Sequence, residues 1–419
     1  METITLTNGF RICLDPRPYL RSCALGLFIA SGSRFEPPQS LGVSHCIEHM
    51  LFKGTDKLSA LDIAQITDDT GGTLNAYTSK EYTCVYARVL RAQVRTIFSV
   101  IAEMALHPAL REAELETEKS VIEEERKSYA DSSEDLCTDS YYEAFWPDDM
   151  LGKNIVGTPQ TICDFTPDGI RRHMAAFYVP ERMLAVFSGA FDREEVLALC
   201  TDAFGTLPDT GNPLTYSHPR PAHFVRTVRR PFQQNILTLG MPGAALEDAQ
   251  IHASTYACAI LGGAGSSRLF QRIREEMGLV YSIDAYHAAF LGAGTVCITM
   301  GLAAGNEEKA LRETLRLCAE FPASVTQQEL DRAKMQTLAA VTMSLESPST
   351  CASRIGRNML LRGEALEEDA LLEKLQSVTL EEVRQAAAQF LAPSDYSLCV
   401  VGKTRTQKYY QQILDEYRG

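Results

Sequence analysis

Between residues 207 and 221 the chain carries Pro208, Pro213, Pro219 and Pro221 together with Gly211, Asn212 and Ser217. So many helix breakers and missing backbone donors make a connection, not a packed element. The segment falls near the middle of 419 residues, and a chain of that length exceeds what one ordinary hydrophobic core fills. It therefore divides the chain into an N-terminal domain (1–207), a linker (208–221) and a C-terminal domain (222–419).

Both sides of the linker read alike. In the first half, β-like runs at 4–14, 23–30 and 83–89 alternate with helical patterns at 60–70, 94–106 and 113–129. In the second, strands are predicted at 236–240, 282–289 and 294–301, with a helix at 250–261 and further helices afterwards. Similar element order implies a duplicated α+β unit, although no plain residue-level repeat accompanies it. Gly262, Gly263 and Gly265 with Ser266 and Ser267 lack the Lys-Ser/Thr ending of a phosphate loop, so a turn leading into a helix is expected there.

The first half also contains His45-Cys46-Ile47-Glu48-His49. On a helix of 3.6 residues per turn, His45, Glu48 and His49 project from one side. Two imidazoles supply half of a tetrahedral zinc site, which needs one more protein ligand and keeps a position for water. Glu48 need not touch the metal: it can take a proton from a water whose pKa the ion has lowered towards roughly 7. The spacing H-x-x-E-H is the inverse of the commoner H-E-x-x-H metalloprotease box. The competing reading is an exposed helix carrying these residues by accident. With 8 histidines in the chain, such a coincidence is expected in roughly one chain of this composition in a hundred. Gly42-Val43-Ser44 ahead of the box can break a strand and cap a helix, and Met50-Leu51-Phe52 behind it supply an apolar face.

A carboxylate is the natural third ligand beside two histidines. Between 111 and 130, Leu115, Glu118, Ile122, Glu125 and Tyr129 recur at spacings of three and four and form one helical stripe, which sets two carboxylates in line with an apolar face. Glu123 and Glu124 fall off the stripe and read as solvated charges. A carboxylate on the buried side needs a partner, which a metal or a buried Lys or Arg can supply. Beside the histidine box, Glu125 is read as the ligand and Glu118 as a supporting group that orients a ligand or water.

Charge and composition narrow the functional classes. A formal net charge of −14 argues against nucleic-acid binding, which requires a basic surface. Twelve cysteines without a C-x-x-C pair read as reduced, mostly buried thiols, so a reducing compartment is expected. The N-terminus lacks the pattern of a secretory or organelle-targeting peptide, and the apolar run 24–30 is too short to span a bilayer. The expectation is a cytoplasmic protein without membrane or nucleic-acid partners.

These residues resemble the inverted-zincin metallopeptidases, the family of mitochondrial processing peptidase, insulin-degrading enzyme and pitrilysin. The likeness runs through Ser31-Gly32-Ser33-Arg34-Phe35-Glu36 and the whole of GVSHCIEHMLFKGT from Gly42 to Thr55. Cys46 departs from the apolar or aromatic residue usual at its position. In the family a glutamate downstream of the box is the third ligand and another, seven residues before it, assists; these match Glu125 and Glu118. Gly71-Gly72-Thr73-Leu74-Asn75-Ala76-Tyr77-Thr78 is similar to a segment whose asparagine and adjoining backbone, here Asn75 and Ala76, hold substrate. In the second half, Ser266-Ser267-Arg268-Leu269-Phe270, Arg274 and Gly278-Leu279-Val280-Tyr281-Ser282 are similar to a segment whose arginine and tyrosine reach the zinc of the facing half. A guanidinium can bind a carbonyl or carboxylate, and a tyrosine hydroxyl can stabilise an oxyanion.

The resemblance implies two homologous α+β domains, each an antiparallel sheet with helices packed on it, together forming half of a clamshell. It implies a Zn²⁺-dependent endopeptidase acting on extended peptides or unfolded polypeptide, with His45, His49 and Glu125 on the metal and Glu48 as general base. Glu118, Arg274 and Tyr281 assist catalysis, and Asn75, Ala76, Arg274 and Tyr281 contact substrate. A homodimer is the simplest assembly, because the zinc box and the Arg/Tyr pair are both present. The rival expectation is a non-catalytic relative that binds peptides or stabilises a complex.

Overall fold

The structure is a computed structural model that describes residues 1–211, 213–392 and 395–417; Asn212 of the linker lies outside them. In the first half, β1 (Glu2–Thr5), β2 (Arg11–Pro16) and β3 (Ser22–Ile29) are followed by α1 (Val43–Leu51), α2 (Ala60–Asp69), β4 (Thr73–Thr78) and β5 (Thr83–Leu90). Helices α3 (Val94–Leu106), α4 (Glu112–Asp131), α5 (Ser133–Phe145), α6 (Pro159–Asp164) and α7 (Pro167–Phe177) lead to β6 (Met183–Gly189) and α8 (Arg193–Phe204). The second half runs β7 (Val225–Arg229), β8 (Asn235–Pro242), α9 (Ile251–Leu261), a π-helical turn (Phe270–Glu276), β9 (Val280–Phe290) and β10 (Ala293–Leu302). After it come α10 (Glu307–Ser324), α11 (Gln327–Ser344), α12 (Pro348–Arg362), α13 (Glu368–Ser377), α14 (Leu380–Phe390), β11 (Ser397–Gly402) and α15 (Gln407–Asp415).

The expected continuous strand at 4–14 is instead a hairpin. Asn8-Gly9 turns the chain, Gly9 adopting φ +89° and Leu6 N donating to Phe10 O at 2.8 Å. Asn-Gly is a strong two-residue hairpin signal, and the apolar alternation on either side of it masks the reversal. As expected, the glycine-rich stretch after α9 is a turn that leads into the helical segment Phe270–Glu276.

The α+β expectation holds, with two sheets. The first has the order β1-β2-β6-β3-β5-β4 and the second β7-β11-β8-β10-β9. With the β1 flap set aside, each sheet places its five strands in the spatial order first, fifth, second, fourth, third. The pairing senses match as well: β2 with β6 and β7 with β11 are parallel, and every other pair is antiparallel. Each sheet is thus antiparallel apart from one parallel pair. A last strand that returns after several helices can enter beside the first strand in the same direction.

Two compact units contain these sheets. One comprises 1–126, 153–215 and 342–368; the other comprises 127–152, 216–341 and 369–417 among the described residues. Helices α5 and α12 therefore leave the half of the sequence that encodes them. In the first unit, alternate residues Cys23, Leu25, Leu27 and Ile29 of β3 pack with Ile47 and Leu51 of α1 and Ile97 and Ile101 of α3. The opposite side of β3 meets α12, where Gly356 lets the helix approach the Phe28 ring so closely that a Cβ would stand 2.3 Å from it. Coverage on both faces explains why 23–30 is an unbroken apolar run. In the second unit α5 plays the same part for β8 and β11, with Tyr141 Oη 2.7 Å from Thr295 Oγ1 of β10.

Candidate metal centre

Helix α1 is held at its start by a residue eight positions upstream of Ser44. Gly42 precedes it at φ +92°, packed so tightly that a Cβ would stand 2.4 Å from the Val156 carbonyl oxygen. It has no side chain with which to cap the helix, and Ser44 lies inside the helix. Instead the buried Glu36 carboxylate accepts from Gly42 N at 2.6 Å and Ser44 N at 2.7 Å, satisfying N–H groups that every helix start leaves orphaned. Burial pushes the Glu36 carboxyl up to about 7, against the pull of those two N–H donors.

One side of α1 is pinned in the core through Val43, Cys46, Ile47, Met50 and Leu51. Cys46 is fully buried there, and burial raises its thiol to about 12, so it acts as a small apolar residue. The remaining face presents His45, Glu48 and His49. Facing it, α4 buries Leu115, Glu118 and Ile122 and leaves Glu125 partly exposed, while Tyr129 at the end of the expected stripe is 41% exposed. Glu123 pairs with Arg126 at 2.7 Å.

The two helices bring His45, His49 and Glu125 together, with one donor atom from each lying within 4.8 Å of the others. Glu125 Oε2 is 3.6 Å from His45 Nε2 and 3.4 Å from His49 Nε2. Ligands bound at about 2.0–2.1 Å to a tetrahedral ion stand about 3.3–3.4 Å apart, so two nitrogens and one oxygen at these separations fit Zn²⁺. His49 Nδ1 is 3.0 Å from Glu118 Oε2, whose other oxygen is 2.7 Å from Lys53 Nζ. His45 Nδ1 is buried and has no hydrogen-bond partner among the described residues.

Glu48 stands one turn from His45, and its Oε2 accepts from Thr78 Oγ1 at 2.6 Å. Thr78 closes β4, an edge strand of the first sheet, and lies 3.3 Å from Thr83 Oγ1, which donates to Ser31 O at 2.7 Å. Behind α1, His173 Nε2 meets Ser31 Oγ at 2.9 Å, and burial lowers this imidazole to about 4. Its Nε2 is taken up by Ser31, and it stands outside the group formed by His45, His49 and Glu125.

The remaining candidate residues are placed as follows. Asn75 is exposed on β4, its Oδ1 accepting from Ala76 N at 2.8 Å, and Ala76 is buried. In the second unit, Arg274 lies over the Phe270 ring at 4.5 Å, and Tyr281 near the start of β9 is 73% exposed. Sequence reasoning gave no role to Glu36, Lys53, Thr78 or His173. A signal existed for Lys53, which follows His49 by four and so continues the same helical side. None existed for Glu36 or Thr78, whose partners are fixed only by the tertiary fold.

Comparison with known proteins accounts for both halves. The model of the insulinase family, peptidase family M16, matches residues 11–159, and that of the peptidase M16 inactive domain matches 164–337. An uncharacterized zinc protease of Bacillus subtilis is 36% identical over 96% of this chain and 98% of its own. An uncharacterized zinc protease of Streptomyces coelicolor is 34% identical over 96% and 90%. Two solved structures share the fold: a protease from Helicobacter pylori, with a TM-score of 0.87 at 19% identity over 96% of this chain and 99% of that one, and a peptidase M16 inactive domain from Pseudomonas fluorescens, with 0.90 at 20% over 97% and 98%. With two helices meeting at His45, His49 and Glu125, the same five-strand order in both sheets and relatives of this identity along nearly its whole length, the chain belongs to the insulinase family of peptidases, family M16.

Proposed function

We propose that this protein is a zinc-dependent endopeptidase that hydrolyses extended peptides or unfolded segments. The observation that carries the reading is the convergence of His45, His49 and Glu125 within 4.8 Å, with Glu48 one turn away on the same helix. Zn²⁺ bound there supplies a Lewis acid that polarises a carbonyl and brings the pKa of water near 7. Glu48, oriented by Thr78, takes the proton of the attacking water and returns it to the departing amine nitrogen, so that one carboxylate serves as base and then as acid. Glu118 holds the His49 ring. The edge of β4 next to Asn75 and Ala76 offers backbone groups to an extended chain, which favours unfolded segments over folded proteins. Arg274 and Tyr281 are assigned to substrate and transition-state binding on the strength of the family resemblance, and a homodimer remains the simplest assembly.

The half matched by the inactive-domain model, 164–337, contains none of His45, Glu48, His49, Glu118 and Glu125, which is consistent with one metal per chain. Location in a reducing cytoplasm is in keeping with twelve free cysteines; among the described residues no helix is long and apolar enough to cross a membrane. The test is cleavage of a quenched fluorogenic peptide. Turnover is expected to disappear with a chelator, to return with zinc, and to fall by about 10²–10⁴ in Glu48→Gln. A zinc-loaded preparation that cleaves no peptide in a broad library would replace this reading with the non-catalytic, peptide-binding one.

A further inference from the structure

Lys53 lies just beyond α1, whose last residue is Leu51, and four residues after His49. Its Nζ is 2.7 Å from Glu118 Oε1, and Glu118 Oε2 is 3.0 Å from His49 Nδ1. A single carboxylate, with only 4% of its side chain exposed, is thus divided between two donors, one to each oxygen. We propose that Lys53 is a positioning residue for the metal. By occupying one oxygen of Glu118 it fixes the carboxylate as acceptor towards His49, and through it sets zinc affinity. The inference rests on the reading of 45, 49 and 125 as the zinc site.

The physical chain has three links. A buried carboxylate needs a partner for its charge, and among the described residues Lys53 is the cation paired with Glu118. An acceptor-only carboxylate facing Nδ1 requires that nitrogen to carry the proton, because an imidazole with Nδ1–H leaves its lone pair on Nε2. That Nε2 is the atom 3.4 Å from Glu125 Oε2. Such support matters more for His49 than for its neighbour: among the described residues His45 Nδ1 has no hydrogen-bond partner, so there the Lys53-Glu118 pair is the one side-chain hold on an imidazole tautomer in the centre. Partners of this kind typically change metal affinity by about 10–100-fold.

The sign of the effect separates this role from plain electrostatics. An ammonium group near a divalent cation repels it, so loss of Lys53 would strengthen zinc binding if charge alone mattered. Positioning requires the opposite. Zinc affinity of the full-length chain is to be measured by competition with a chromophoric chelator, using wild type, Lys53→Met, Lys53→Arg, Glu118→Gln and the Lys53→Met/Glu118→Gln pair. Lys53→Met is expected to bind zinc about 10–100-fold more weakly, Lys53→Arg to stay within a few-fold of wild type, and Lys53→Met to cost nothing further once Glu118 is Gln. Lys53→Gln replaces Lys53→Met if the latter fails to fold, and metal-free thermal midpoints report any general loss of structure. Unchanged or tighter binding in Lys53→Met, or an equal loss in the Glu118→Gln background, overturns the proposal and leaves the site standing. Wild type without zinc affinity, or His45→Ala binding as tightly as wild type, removes site and proposal together.

Discussion

Thr78 Oγ1 donates a 2.6 Å hydrogen bond to Glu48 Oε2, tying the last residue of an edge strand to the carboxylate that the proposed chemistry uses as its base. A hydrogen bond to a charged group contributes about 1.5–3 kcal/mol, here spent on orientation. Thr78→Val is therefore expected to lower kcat by about 10–100-fold with zinc content unchanged, and Thr78→Ser, which keeps the hydroxyl, to restore most of it. Steady-state kinetics of the two variants on one peptide is the check; equal losses in both would mean that the hydroxyl has no such role.

His173 makes stability depend on acid. Burial lowers its pKa from 6.5 to about 4 in the folded state, so the unfolded chain binds the proton first. Its contribution is complete above about pH 6.5 and is lost as pH falls towards 4, amounting to about 3 kcal/mol by linkage. His173→Gln removes the titration but keeps a polar group near Ser31. The gap in stability between wild type and His173→Gln, from urea unfolding at several pH values, is expected to narrow as pH drops from 6.5 to 4. A gap that stays constant would show that the imidazole does not titrate in this way.

Eleven of the twelve cysteines are buried, and Cys163 is exposed. Thiol reactivity follows thiolate character and access; access is closed to all eleven interior thiols, and burial raises several of them, such as Cys46 and Cys318 at about 12. An aromatic disulfide reagent is expected to label one thiol per native chain and twelve after denaturation. Rapid labelling of several native thiols would contradict the packing described for both cores.

Much of the centre is legible in the sequence because its geometry is local. His45 and His49 need only one helix to converge, and the Leu115, Glu118, Ile122 repeat marks the side of α4 that turns inward. The stripe fails at Tyr129, since periodicity cannot say where along a helix the packing partner ends. The cap on α1 was invisible for the converse reason: capping rules look within a few residues of the helix start, and Glu36 reaches it from a separate turn. Likewise nothing local assigns α12 to β3 and β6 or α5 to β8 and β11. The largely apolar runs of those strands, such as Cys23 to Ile29 of β3, announce that both faces are covered without naming the cover. The parallel pairing of β2 with β6 is set by a contact across more than 160 positions, which no window of sequence contains.

The central claim is that two helices hold one zinc ion through His45, His49 and Glu125, and it is tested most directly by metal content. Purified protein equilibrated with zinc and then freed of excess should be assayed by elemental analysis beside His45→Ala, His49→Ala, Glu125→Ala and Glu48→Gln. One zinc per chain is expected in wild type and Glu48→Gln, and a fraction of that in each of the other three. Zinc retained at wild-type stoichiometry by all three ligand variants would contradict the account.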